Sequence, residues 1–196
     1  MKIRSVTIAL TIVLIPFILG VVLFNAKLHS TAPEKGSFIS DTRYENKGIN
    51  HKEISIDWSF CPDWQYKPLF FPAKEYLVFV FHYKNDSEYD IELVPSYTFI
   101  PSPHRRYSAN EEISMYIEDD VEDELGITDE TSMSYKISPG ATKHYIVTFE
   151  KPENLNHFYI DVDIFRDDTL RLYYEKKGGT WVNANNELID KYRGRG

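Results

Sequence analysis

Hydrophobic positions fall into two regimes along this chain. From Ser5 to Ala26 no residue is charged, and VTIALTIVLIPFILGVVLF is apolar on every side, with Lys2 and Arg4 before it and Lys27 after it. At about 1.5 Å of rise per residue, a helix of that length approaches the roughly 30 Å of hydrocarbon in a bilayer. Residues 5–26 are therefore read as a single transmembrane helix within an N-terminal anchor, 1–27. Pro16 marks a kink, which a membrane helix tolerates. A cleaved signal peptide is the rival reading, but its apolar core ordinarily ends after about 7–15 residues in a small-x-small site. Here the run is longer, Ala26 has Phe24 two positions before it, and the better-matched Ser30-Thr31-Ala32 is followed by Pro33. A buried helix of a soluble protein would show a polar face, and this one has none. Lys2 and Arg4 favour a cytoplasmic N-terminus with the rest outside, a bias that Lys27 and Lys35 weaken.

Residues 28–52 are polar with scattered Gly, Pro and Ser and no period, as in a linker. From residue 53 onward the pattern turns to period two. Ile54, Ile56 and Trp58 alternate with Ser55 and Asp57, and the same alternation marks Tyr89–Leu93, Met133–Ile137, Tyr145–Phe149, Phe158–Ile164 and Leu170–Tyr174. Each is read as a half-buried strand. Tyr76–Tyr83 is apolar on both faces, which predicts a central strand whose second side is also covered, by the preceding FCPDWQYKPLFFP segment. Phe79, Phe81, Val147, Phe149, Ile160 and Val162 are expected to share one interior. Turn residues separate the runs at Lys84–Ser87, Pro101–Pro103, Ser138–Gly140, Lys151–Asn154 and Lys177–Gly179. Seven or eight short strands predict an all-β, two-sheet sandwich over 53–196, with a single helical turn at most within Glu118–Gly126.

Charge narrows the partners. The first 27 residues hold three bases and no acid, so the remainder carries 19 bases against 30 acids, a net charge of −11. Such a domain repels a nucleic acid backbone or an anionic lipid headgroup, and nucleic acid is not expected as a partner. The single cysteine, Cys61, leaves no intrachain disulfide and is expected to be buried and inert.

An apolar strand ending in a Lys-Asn-Asp-Ser turn (YLVFVFHYKNDS) is followed by EYDIELVPSYTFI, a polar crossover and Ile137-Ser138-Pro139-Gly140. A strand ending in Val147–Pro152 and the strand FYIDVDIF complete the order. Over roughly residues 74–165 this resembles the immunoglobulin-like extracytoplasmic domains of bacterial surface and secreted proteins, and is similar to the secreted immunoprotective-antigen family. The long acidic crossover departs from that pattern, and the absence of a lipobox cysteine argues against lipoprotein anchoring. The resemblance implies an immunoglobulin-like sandwich and a non-enzymatic accessory or binding module, and brings no catalytic residues.

Candidate chemistry is sparse. Six carboxylates within Glu118–Glu124 offer hard oxygen ligands, but the calcium-loop glycine is replaced by Leu125, and a solvated acidic segment is expected. Asp161 and Asp163 project from one strand face. A polysaccharide hydrolase would need them 5–9.5 Å apart across a cleft, on the order usual for paired catalytic carboxylates, whereas pairing of solvent-facing residues with Arg171 accounts for them more simply. His82, His104, His144 and His157 have no close metal spacing, so no metal, cofactor or catalytic residue is assigned. Asn85-Asp86-Ser87 fits a glycosylation sequon that carries no weight by itself. The binding candidates are Arg105 and Arg106 in a basic, aromatic loop, and Trp58, Trp64 and Tyr66 in an aromatic-rich stretch that serves either as a recognition surface or as a lid on the core. The expectation is a single-pass membrane protein with a periplasmic or extracellular β-sandwich, acting as a binding or structural module for an envelope protein or glycan. The alternative is an envelope polysaccharide hydrolase.

Overall fold

The computed structural model describes residues 38–40, 44–46, 54–66, 74–127, 135–165 and 168–190. The expected anchor at 5–26, most of the linker, and Phe70, Phe71 and Met133 lie outside the described residues. No helix among the described residues is long and apolar enough to cross a membrane.

Two antiparallel sheets form the body. The first runs β1 (Ile39–Ser40), β3 (Ile54–Tyr66), β4 (Lys74–Asn85), β9 (Thr142–Glu150), with β2 (Tyr44–Asn46) also pairing β3. The second runs β12 (Thr180–Asp190), β11 (Asp168–Lys177), β10 (His157–Phe165), β6 (Ser96–Ser102), β7 (Arg105–Ser108). A small pair, β5 (Ile91–Glu92) and β8 (Lys136–Ile137), joins the connections. This is an all-β body of the sandwich type.

The interior between the sheets follows from the alternation. Ile54, Ile56, Trp58 and Phe60 of β3 and Leu77, Phe79, Phe81 and Tyr83 of β4 meet Phe158, Ile160, Val162, Leu170, Leu172 and Tyr174 of the facing sheet. Phe79, Phe81, Val147, Phe149, Ile160 and Val162 share this one core, so the expected register holds. Aromatic rings interlock across it, with Phe60 and Phe158 centroids 5.8 Å apart and Phe99 and Phe149 5.4 Å apart. Such edge and offset contacts add about 0.5–1.5 kcal/mol each beyond area burial.

The second face of β4 is covered, and the cover includes a helix that the sequence reading did not point to; of the FCPDWQYKPLFFP segment, residues 67–72 lie outside the described residues. A 15-residue helix, α1 (Glu111–Leu125), replaces the expected single turn and lays Ile113, Ile117 and Val121 on Cys61, Trp64, Tyr76, Val78 and Val80. Those helix positions recur every four residues and form one stripe. Asn110 caps the helix by accepting the Ile113 amide at 3.1 Å, and Gly126 ends it at φ 66°. The segment FCPDWQY is instead the continuation of β3. Pro62 falls where the register slips between Cys61 and Trp64, the position at which a strand tolerates a missing amide hydrogen. Residues 39–40 and 44–46, placed in the linker by composition, pair with β3.

Asn85 closes the turn after β4. Fully buried, it donates to the Tyr89 and Ile137 carbonyls at 2.7 and 2.8 Å and accepts from the Ser87 amide and hydroxyl. With both amide hydrogens committed inside, this sequon asparagine has no side-chain nitrogen to offer a glycan.

Candidate functional site

The five binding candidates separate into two groups. Trp58 and Trp64 are only 1% and 2% exposed. Trp58 lies in the inter-sheet core, its indole N–H donating to Tyr174 Oη at 2.8 Å, and Trp64 lies under α1. Neither ring has free area to bury against a partner, so the aromatic stretch is core rather than surface at these positions. Tyr66, Arg105 and Arg106 remain accessible, and the fold brings them to one end of the sandwich.

That end is built by strand direction. β4 begins and β3 and β9 finish there, as the pairs Tyr66 with Lys74 and Tyr76 with Glu150 require. In the other sheet Tyr159 pairs Ile100 and His157 pairs Glu175, so β10 starts, β11 ends and the β6–β7 turn reverses at the same end. A cleft of about 580 Å³ opens between the sheets, lined by Lys74, Glu75, Glu150, Lys151, Asn154, Asn156 and Lys176 among others. Lys74 bonds Glu150 at 2.9 Å and Lys151 bonds Glu75 at 2.6 Å. The Glu150 carboxylate holds the Lys74 ammonium above its ordinary pKa, first by hydrogen bond and then by charge. Asn154 turns the β9–β10 connection at φ 60°, a conformation that asparagine tolerates.

At the same end of the sandwich, Arg105 and Arg106 are exposed on β7. Tyr116 of α1, 64% exposed, stacks on Tyr66 with centroids 6.3 Å apart and planes 14° apart, and Met115 beside it is 73% exposed. That Tyr66 and the arginines lie at the same end was invisible in sequence, because it depends on two hairpins from different sheets reversing at the same level.

The carboxylates do not converge. Asp161 is clamped by Arg171, Nε to Oδ1 at 2.7 Å and Nη2 to Oδ2 at 2.8 Å, as the sequence pairing anticipated. Asp163 accepts from Ser96 at 3.2 Å and from Thr169 at 2.5 Å. Both face outward from the second sheet, whereas Glu118–Glu124 ride on α1 outside the first, so the whole sandwich stands between them. Burial and then the charges of Glu118, Asp119 and Asp123 raise the Glu122 carboxyl above its usual range.

Sequence spacing also missed the pairing of His82 with His144. They are opposite residues of β4 and β9, with Nδ1 atoms 2.5 Å apart, and Asp57 of β3 pairs His82 on its other side. Among the described residues no three His, Cys, Asp or Glu side chains converge on a metal position. No protein-family model, curated protein or solved structure matches the chain.

Proposed function

We propose that this protein is a membrane-anchored, non-catalytic binding or structural module whose immunoglobulin-like sandwich stands outside the cytoplasm. The observation that carries the non-catalytic reading is the fate of the carboxylates. Asp161 and Asp163 are held by Arg171, Ser96 and Thr169 of their own sheet, on the opposite side of the body from the acidic helix. A hydrolase needs two facing carboxyl groups with separated pKa values. The immunoglobulin-like assignment draws support from the chain's passage between sheets, from β4 to β6, back to β9 and on to β10. Anchoring draws support from the uncharged run 5–26.

The accessible end with Tyr66, Arg105, Arg106 and the charged cleft is the recognition surface in this reading. Fractionation of the full-length chain tests it. The chain stays with the membrane after carbonate washing, and protease reaches the sandwich only from the outer side. A soluble species beginning near Lys27 or Pro33 overturns the anchor. Loss of a polysaccharide-cleaving activity on Asp161→Asn or Asp163→Asn would favour the hydrolase instead.

A further inference from the structure

Two imidazoles meet on the outer face of the first sheet. Side chains of β3, β4 and β9 that alternate with the inter-sheet core include Asp57, His82 and His144. The three lie in one row, because Asp57 pairs His82 and His82 pairs His144. Opposite residues of antiparallel strands hold their Cβ atoms about 4.5–5.5 Å apart, so both rings reach the same point. They meet there with Nδ1 atoms 2.5 Å apart, ring centroids 4.7 Å apart and planes at 80°. The two histidines are 62 positions apart in sequence, and strand pairing alone brings them together.

The row is open to small ions yet partly desolvated. His82, His144 and Asp57 are half-buried, one row beyond Val80 and Ile146, which pack in the cluster beneath α1. The cations nearby are engaged elsewhere. Lys84, the next outward residue of β4, pairs with Asp86, and Lys143 lies over the Tyr145 ring at 5.3 Å. Asp57 stands in register with His82 on the side away from His144, and its carboxylate supplies charge of the sign that a metal ion needs.

Neutral imidazole is the commonest side-chain metal ligand. A borderline dication sits about 2.0–2.1 Å from each ring nitrogen, and at the angles of a four- or six-coordinate ion this holds two nitrogens about 2.9–3.4 Å apart. The pair therefore needs to open by less than about 1 Å, and the terminal torsion of histidine is broad enough to supply it. Among the described residues no group of three His, Cys, Asp or Glu side chains converges on a metal position, so the protein offers two donors here. Imidazole donors select copper, nickel and zinc, whereas magnesium and calcium take oxygen ligands.

We propose that His82 and His144 form a two-imidazole site for a divalent transition-metal ion of the copper, nickel and zinc group, with Asp57 lending charge beside it and water completing the coordination. The site lies on the sheet face, away from the Tyr66, Arg105 and Arg106 end, and stands independently of the anchored reading.

The test titrates the full-length chain, purified in detergent, with Cu²⁺, Ni²⁺ and Zn²⁺ by calorimetry, and with Mg²⁺ and Ca²⁺ as hard-ion controls. The chains compared are the native one, His82→Gln, His144→Gln, the double variant, Asp57→Asn and His104→Gln. Copper is expected to bind most tightly of the three, as the usual order of first-row metals requires. Either histidine variant is expected to lose at least about tenfold in affinity, and the double variant little more, because one missing ligand already breaks the chelate. His104→Gln is expected to change nothing, and Asp57→Asn to weaken binding less than either histidine variant. Electron paramagnetic resonance of the copper-loaded native chain is expected to show coupling to two ring nitrogens, a readout that holds even if His82→Gln unsettles the sheet. No binding of the three ions overturns the site and leaves the pair as a contact between imidazoles. Binding that survives both histidine variants, coupling to fewer than two nitrogens, or equal affinity for Mg²⁺ also overturns it. A loss in Asp57→Asn as large as in the histidine variants overturns the two-imidazole donor set.

Discussion

His82 and His144 face each other across β4 and β9 with their Nδ1 atoms 2.5 Å apart, so a proton added to His82 meets the ring of His144. Burial, and then the charge of His144, lowers the His82 pKa from its ordinary 6.5 to about 4, against an opposing pull from Asp57. The unfolded chain therefore binds the extra proton first as pH falls. The stability linked to neutral His82 is complete above about pH 6.5, declines as pH drops through the window, and is gone below about 4. Allowing for partial exposure, the loss is about 2 kcal/mol. Unfolding midpoints measured against pH check this, and His82→Gln is expected to flatten the slope between those values.

Tyr174 and Trp58 make a similar demand without charge. Their hydrogen bond crosses the inter-sheet core, and Tyr174→Phe leaves the indole N–H buried and unpaired while keeping the ring. The expected cost is about 1–3 kcal/mol, read as a shift in the denaturation midpoint at unchanged slope. Trp58→Ala removes the whole side chain and is expected to cost about 3–5 kcal/mol.

Asp161→Ala provides a different kind of test. On a bare strand face such a change stays within about 0.5 kcal/mol, but here it strips a bidentate partner from a half-buried Arg171 that also lies over the Tyr159 ring. A loss of about 1–2 kcal/mol is expected, compensated in part by Arg171→Leu in a double-mutant cycle.

Asn110→Ala separates the helix from the sheet that it covers. The cap accepts the Ile113 amide, and its removal is expected to destabilise by about 0.5–2 kcal/mol. Far-UV circular dichroism is expected to lose its helical component before the β signal on heating the variant. Ile117→Ala, one turn further along the buried stripe, is expected to cost about 2–5 kcal/mol.

Much of the strand framework was readable because a period of two is imposed by burial on one face, as in Phe158, Ile160, Val162 and Ile164. The apolar run of β4 likewise announced cover on both sides. What escaped was the cover itself: Ile113, Ile117 and Val121 form a helical stripe, but six acids in seven positions around Val121 masked it as a solvated segment. Strand β12 was missed because Asn183, Asn185 and Asn186 break the alternation at a sheet edge, where apolar contact on one face is incomplete. Pro62 made β3 look like a loop, since a proline argues against a strand unless a bulge accommodates it. The candidate site escaped for a different reason: Tyr66 and Tyr116 stack although they lie far apart in sequence, and only the direction of the hairpins brings Arg105 to the same end.

The cover over β4 also turns one atom into a gauge. Cys61 Sγ is fully buried beneath the α1 stripe, its thiol pKa pushed up to about 12 chiefly by burial. A thiol so placed reacts only when the helix lifts or the whole domain unfolds, and as the chain's sole cysteine it reports a single event. Its alkylation rate under native conditions therefore measures how often the layer above the first sheet opens, at one position, without any added probe.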